Sequence, residues 1–103
     1  MIIIQHKETE KSGIFEAWMQ SSEEGACTDP VQVGEMTYQR PTPQRMIIDH
    51  TRVFDGFEDR GIARQMVLAA VDFARAHSRQ IIPVCSYAQA FLTRTDEYKD
   101  ILA

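Results

Sequence analysis

Arg60, Gly61 and Arg64 stand where a β-prone run gives way to a helical pattern, and residues of these types at that junction suit anion binding. The run Met46-Ile47-Ile48-Asp49-His50-Thr51-Arg52-Val53 leads into Phe54-Asp55-Gly56-Phe57-Glu58-Asp59-Arg60-Gly61-Ile62-Ala63-Arg64. The first N–H groups of a helix have no intrahelical acceptor, and the helix dipole adds partial positive charge there. A phosphate or pyrophosphate satisfies both. Gly61 lacks a Cβ and would let the backbone come close to such a ligand; the plainer alternative is that it only eases the turn. Four further side chains are able to do chemistry: the carboxylate Glu35, the imidazole His50, the thiol Cys85 and the phenol Tyr87. Each has a structural alternative. Glu35 would pair with Arg45 or Arg52, and His50 would bond a backbone carbonyl or Thr51. Cys85 would be a buried apolar thiol, and Tyr87 an amphipathic core residue.

These residues need elements to position them. Ile2–Lys7 and Ile14–Met19 read as a strand pair across the polar turn Glu8–Gly13. Gln20 to Pro30 reads as a loop. Val31–Gln39 alternates apolar and polar residues, as a half-buried strand does, and Arg40-Pro41-Thr42-Pro43 breaks it. Arg45–Val53 is the fourth strand. Ile62, Met66, Ala69, Ala70, Phe73 and His77 then recur at helical spacing, which predicts a helix from about Gly61 to His77. Ile81–Cys85 follows as a short strand, with Pro83 marking a side without a partner or a bulge. Tyr87–Leu92 opens a second helix, and Glu97–Leu102 is a last helical turn or a docked tail. Phe15, Trp18 and Phe73 are expected in the core. The order β-β-β-β-α-β-α describes an α/β (α+β) fold with a mixed, mostly antiparallel sheet. A helix between the fourth and fifth strands makes them parallel neighbours with a right-handed crossover.

Composition narrows the class. The chain has 103 residues, 44% hydrophobic and 25% charged, which is ordinary for one globular domain over residues 1–103. A net charge of −4 argues against nucleic acid or an anionic membrane as partner. No apolar run approaches the roughly 20 residues of a membrane span. Cys27 and Cys85 make neither a disulfide framework nor a metal cluster, so no metal is expected and a cytoplasmic location is the default.

Several segments together resemble the GNAT superfamily of acetyl-CoA-dependent N-acetyltransferases, and in particular its small subgroup of about 100 residues. They are Gly34-Glu35-Met36-Thr37-Tyr38, His50-Thr51-Arg52-Val53, Arg60-Gly61-Ile62-Ala63, Phe73-Ala74-Arg75, Ile82-Pro83-Val84-Cys85-Ser86-Tyr87 and Glu97-Tyr98. The resemblance implies a compact fold with a V-shaped splay between the fourth and fifth strands. It implies acetyl-CoA as co-substrate and an amine as acceptor, with a monomer or weak dimer as the assembly. Thr51 and Val53 would meet the pantetheine arm. Glu58, Asp59, Arg60, Gly61, Ile62, Ala63 and Arg64 would cradle the pyrophosphate, and Ser86 would lie on the cofactor side of the cleft.

Acetyl transfer to an amine needs a base, a stabilised oxyanion and a proton for the leaving thiolate. The resemblance puts His50 forward as base, Cys85 as nucleophile or thiol lining the site with His50 nearby, and Tyr87 as acid. One departure stands out. The family loop reads Gln or Arg, two variable residues, Gly, one variable residue, then Gly or Ala. Here Gly61 and Ala63 fit, but Glu58 takes the first position, and Asp59 stands where the small subgroup usually has glycine. Carboxylates repel a pyrophosphate. A coenzyme A-binding or protein-interaction module with little catalysis is the alternative that this loop favours.

Overall fold

The computed structural model describes residues 2–20 and 30–103. The strands are β1 (Ile2–Glu8), β2 (Ser12–Met19), β3 (Val31–Gln39), β4 (Arg45–Val53) and β5 (Gln80–Pro83). They form one sheet in the order β1-β2-β3-β4-β5, antiparallel except for the parallel pair β4 and β5. The helices are α1 (Ile62–Ala76) and α2 (Ser86–Thr93), followed by a 3-10 helix over Asp96–Ile101. The expected tail is thus both helical and docked, because Leu102 bridges to Ile81 on the outer edge of β5. That bridge is the only pairing on this side among the described residues, in keeping with Pro83 closing the strand. Cys27 and the Glu23-Glu24 pair lie outside the described residues. None of the described helices is long and apolar enough to cross a membrane.

α1 lies across one face of the sheet and touches every strand. It buries Ile62, Met66, Val67, Ala70, Val71 and Ala74 against Phe15, Ala17, Met36, Tyr38, Met46 and Ile48. The buried stripe is therefore rotated from the expected one: Ala69 and Phe73 are half-buried at its border, and His77 is the exposed C-cap. The helix stops because Ser78 is left-handed at φ 53° and Arg79 N–H returns to Ala74 O at 2.8 Å. That is a Schellman closure with serine where glycine is usual. Gly34 sets how closely α1 approaches. A Cβ there would stand 3.1 Å from Arg52 O, 3.2 Å from Met66 Cε and 3.3 Å from Ile62 Cγ2. The missing side chain lets the first turn of α1 sit on β3.

Two expectations are corrected by the packing. Trp18 is only half-buried and lies on the face away from α1, beside Ile3, Gln5 and Pro30, because Ala17 takes the inward position before it. Glu8 is not a turn residue. It ends β1 and gathers Tyr38 and Arg40 from the end of β3 and Arg79 from the turn after α1. Burial pushes its carboxyl up, but the Arg79 and Tyr38 hydrogen bonds and the charges of Arg79 and Arg40 outweigh that and hold it down at about 2. Burial and the same carboxylate push the Tyr38 phenol up. Tyr38 donates to Glu8, so the His6 ring beside it must donate Nε2–H to the Tyr38 oxygen.

Candidate active site

The segment between β4 and α1 is built from local backbone devices. Phe54 N–H bonds Val33 O at 2.8 Å, which anchors the exit of β4 to β3. Phe57 N–H closes a turn onto Phe54 O at 3.1 Å. Gly56 (φ 91°), Asp59 (φ 63°) and Gly61 (φ 72°) are all left-handed. Gly61 caps α1 without a side-chain bond, and no acidic residue occupies the first turn. The first intrahelical bond runs from Gln65 N–H to Gly61 O at 3.1 Å. The N–H groups of Ile62, Ala63 and Arg64 are therefore left without an intrahelical acceptor. A Cβ on Gly61 would meet nothing within 4 Å, so the positive φ is what demands glycine, and the space beside it is open.

That space is a hollow of about 180 Å³, lined by residues 61–64 together with Val53, Phe57, Asp59 and Tyr87. Six of the residues expected at a cofactor site thus meet, Val53, Asp59, Gly61, Ile62, Ala63 and Arg64, together with Tyr87, expected as the acid. Glu58 and Arg60 do not line it. Glu58 turns back and accepts Gly56 N–H at 3.0 Å. Arg60 lies over the Phe57 ring, 5.5 Å from its centre. A larger hollow, about 560 Å³, lies near the other end of α1 between Arg75, Arg79 and Asp100. Its charged groups already hold partners, Arg75 with Asp100 and Arg79 with Glu8, so size alone does not make it the candidate.

The expected splay is visible in the register. β5 pairs with β4 only from Arg45 to Ile48. Val84 and Cys85 then both donate to Ile48 O, each at 3.0 Å, and the chain turns into α2. β4 continues through residues 49–53 with no strand on that side among the described residues. Cys85 is the N-cap of α2 in an extended conformation, and Gln89 N–H makes the first intrahelical bond to its carbonyl at 3.0 Å. Its half-buried thiol donates to Thr51 Oγ1 at 3.3 Å across the gap. Ser86 and Tyr87 are exposed in the first turn of α2. Since Tyr87 also lines the hollow at the start of α1, the N-terminal turns of both helices open on one region.

His50 is not there. In the β3–β4 register Thr51 pairs with Met36 and His50 with Thr37. Met36 is fully buried in the core that α1 covers, so Thr51 points to that side and His50 to the other. The expectation that His50 lies beside Cys85 is corrected. A bulge is the cause. The register shifts between Thr37 and Tyr38, and Asp49 is the extra residue opposite it. On the open face, His50 Nε2 stands 3.9 Å from Glu35 Oε1. Glu35 thus faces His50 rather than Arg45 or Arg52. Arg52, its cross-strand neighbour, lies over the Phe54 ring at 5.1 Å. Asp49 accepts from Thr37 Oγ1 at 2.7 Å and from Gln39 Nε2 at 3.2 Å. Strand alternation in Glu35, Thr37 and Gln39 was the sequence signal for this polar face.

Residues 16–101 match the model of a family described as GCN5-related N-acetyl-transferase. The chain belongs to that family. A GCN5-like protein from Staphylococcus aureus, solved by NMR, is similar in structure, with a TM-score of 0.63 and 27% sequence identity. The match covers 96% of this chain and 87% of that one. No curated protein matches the chain. Membership accounts for the parallel β4–β5 pair and the helix between them.

Of Glu58 and Asp59, Glu58 is engaged by loop backbone and only Asp59 lines the hollow. Asp59 also holds a left-handed φ, the conformation that glycine adopts without strain.

Proposed function

We propose that the protein transfers an acetyl group from acetyl-CoA to an amine. The observation that carries this reading is the gap beyond Ile48, where β4 runs on past the end of β5, still paired with β3, and both helix N-terminal turns open. Bound there, the cofactor supplies an activated acetyl thioester. The unclaimed N–H groups of Ile62, Ala63 and Arg64, with the open side of Gly61, suit its pyrophosphate. Arg60 and Arg64 offset the charge of Glu58 and Asp59. The stretch of β4 past the end of β5 offers backbone groups at Thr51 and Val53 to the pantetheine arm, and Ser86 begins the opposite wall.

In this reading the amine nitrogen attacks the thioester carbonyl, the C–S bond breaks, and the amine proton passes to His50. Tyr87 protonates the departing thiolate. His50 lies on the open face of the sheet and Tyr87 on the side of α1, so acceptor and cofactor approach the gap from opposite faces. A variant route takes the acetyl group first onto Cys85 Sγ, at the N-terminus of α2.

Thermal shift and calorimetry with acetyl-CoA test the binding, since a ligand of the native state must raise stability by mass action. Coenzyme A release with a panel of amines tests the transfer. The expected result is a rise in Tm with turnover of at least one amine. No shift at millimolar acetyl-CoA overturns the reading. A shift without turnover supports the second reading, a coenzyme A-binding module, which the carboxylate of Asp59 in the hollow favours. A gain of about 42 Da on the Cys85 peptide identifies the covalent route. An unmodified Cys85 during continuing turnover leaves direct attack.

A further inference from the structure

On the open face of the sheet, Glu35 and His50 are diagonal neighbours across β3 and β4. The register sets Glu35 opposite Arg52 and Thr37 opposite His50, a spacing that long side chains bridge. Each other charged group beside this pair among the described residues has a different engagement: Glu16, directly opposite Glu35 across β2 and β3, pairs with Lys7 at 3.2 Å. Arg52 lies over the Phe54 ring. Asp49 is held by Thr37 and Gln39. β5 ends at Pro83, level with Ile48, and so brings no group to His50. Glu35 is the carboxylate left facing the imidazole, at 3.9 Å from Nε2. Its side chain is 28% exposed and that of His50 52%, so the carboxylate is the more sheltered partner and the imidazole the more accessible.

We propose that Glu35 is a positioning residue for His50, fixing the ring with Nε2–H toward the carboxylate and Nδ1 free to take the acceptor's proton. The inference rests on His50 as the base in the reading above. An imidazole has one protonated and one unprotonated nitrogen, and the partner of one decides the role of the other. The present separation exceeds a hydrogen bond, and such contacts tighten when substrate binds. After transfer, the proton resides on Nδ1 and the imidazolium is balanced by the Glu35 carboxylate. The proton then leaves to solvent.

Nitrogen-15 NMR of the full chain reads the ring directly. The expected result is a neutral His50 in the Nε2–H form, with that tautomer preference lost in Glu35→Gln while the His6 and His77 signals do not move. A neutral His50 in the Nδ1–H form, or a tautomer ratio unmoved by the substitution, overturns the proposal. Kinetics with the best amine from the panel supply a second readout. Glu35→Gln should lower kcat about tenfold and leave KM for acetyl-CoA unchanged, with partial recovery in Glu35→Asp. Wild-type kcat in Glu35→Gln, with activity lost in His50→Gln, sinks the proposal alone. Full activity in His50→Gln sinks the assignment of His50 as base, and with it Glu35's part in catalysis.

Discussion

Replacing Asp59 separates the two ways in which it acts on the loop. Its backbone is left-handed at φ 63°, and its side chain lines the hollow at the start of α1. Left-handed backbone costs a residue with a Cβ about 1 kcal/mol, least for Asn and Asp. Glycine removes that strain but gains roughly 0.5–1 kcal/mol of unfolded-state freedom, so the two nearly cancel. Asp59→Gly should therefore move Tm by no more than a few degrees. The charge does not cancel. Two unit charges roughly 6 Å apart in water repel by about 0.7 kcal/mol, and a pyrophosphate presents two, or about 1.4 kcal/mol. That is about tenfold in affinity at low salt, reduced to about threefold at 0.15 M, where the screening length is about 8 Å. Asp59→Asn keeps a side chain that tolerates the left-handed region and removes only the charge. Calorimetry with coenzyme A should find both variants tighter than wild type at low salt and converging on it at high salt. Unchanged or weaker binding by Asp59→Asn at low salt refutes the placement of the pyrophosphate against residues 61–64.

Gly34→Ala tests how α1 is seated. The new methyl meets the Arg52 carbonyl oxygen, which cannot yield, and the tips of Met66 and Ile62, which can. Stability should fall by about 1–2 kcal/mol in urea, and coenzyme A binding should weaken because the first turn of α1 is displaced. Wild-type affinity in the variant counts against that coupling. Glu8 gives the acid response. Its folded carboxyl is held at about 2, below the ordinary 4.5, so its contribution is fully present above pH 4.5 and is lost as pH falls toward 2. Glu8→Gln should cost about 1–2 kcal/mol at neutral pH, allowing for partial exposure, and should flatten stability between those values. An unchanged acid slope refutes the network's role.

Much of the fold was legible because its signals are local. The periods of β3 and β4, the proline break between them and the change to helical spacing after Gly61 each act over a few residues. The open N-terminal turn of α1, where the pyrophosphate is proposed, was legible for the same reason, since Gly61 and that first turn are adjacent in sequence. His50 was not. Simple alternation from Met46 and Ile48 places His50 inward, toward Cys85. The bulge at Asp49 adds one residue and sends His50 to the other face, while Thr51 turns inward to meet the thiol. Nothing near Asp49 in the sequence marks that insertion, because its compensation lies in the pairing with Thr37 and Tyr38.

The sequence by itself therefore determined the elements, their order and the glycine-capped N-terminal turn of α1, since hydrophobic period and glycine placement operate within one element. Tertiary structure alone decided which chemical groups share a face. It engaged Glu58 with its own loop and left Asp59 in the hollow, brought Thr51 to Cys85, and set His50 against Glu35. It also joined Glu8 to Arg79 across the length of the chain. Register, bulges and long-range charge pairing arise only when distant segments meet, and they fix where each side chain points.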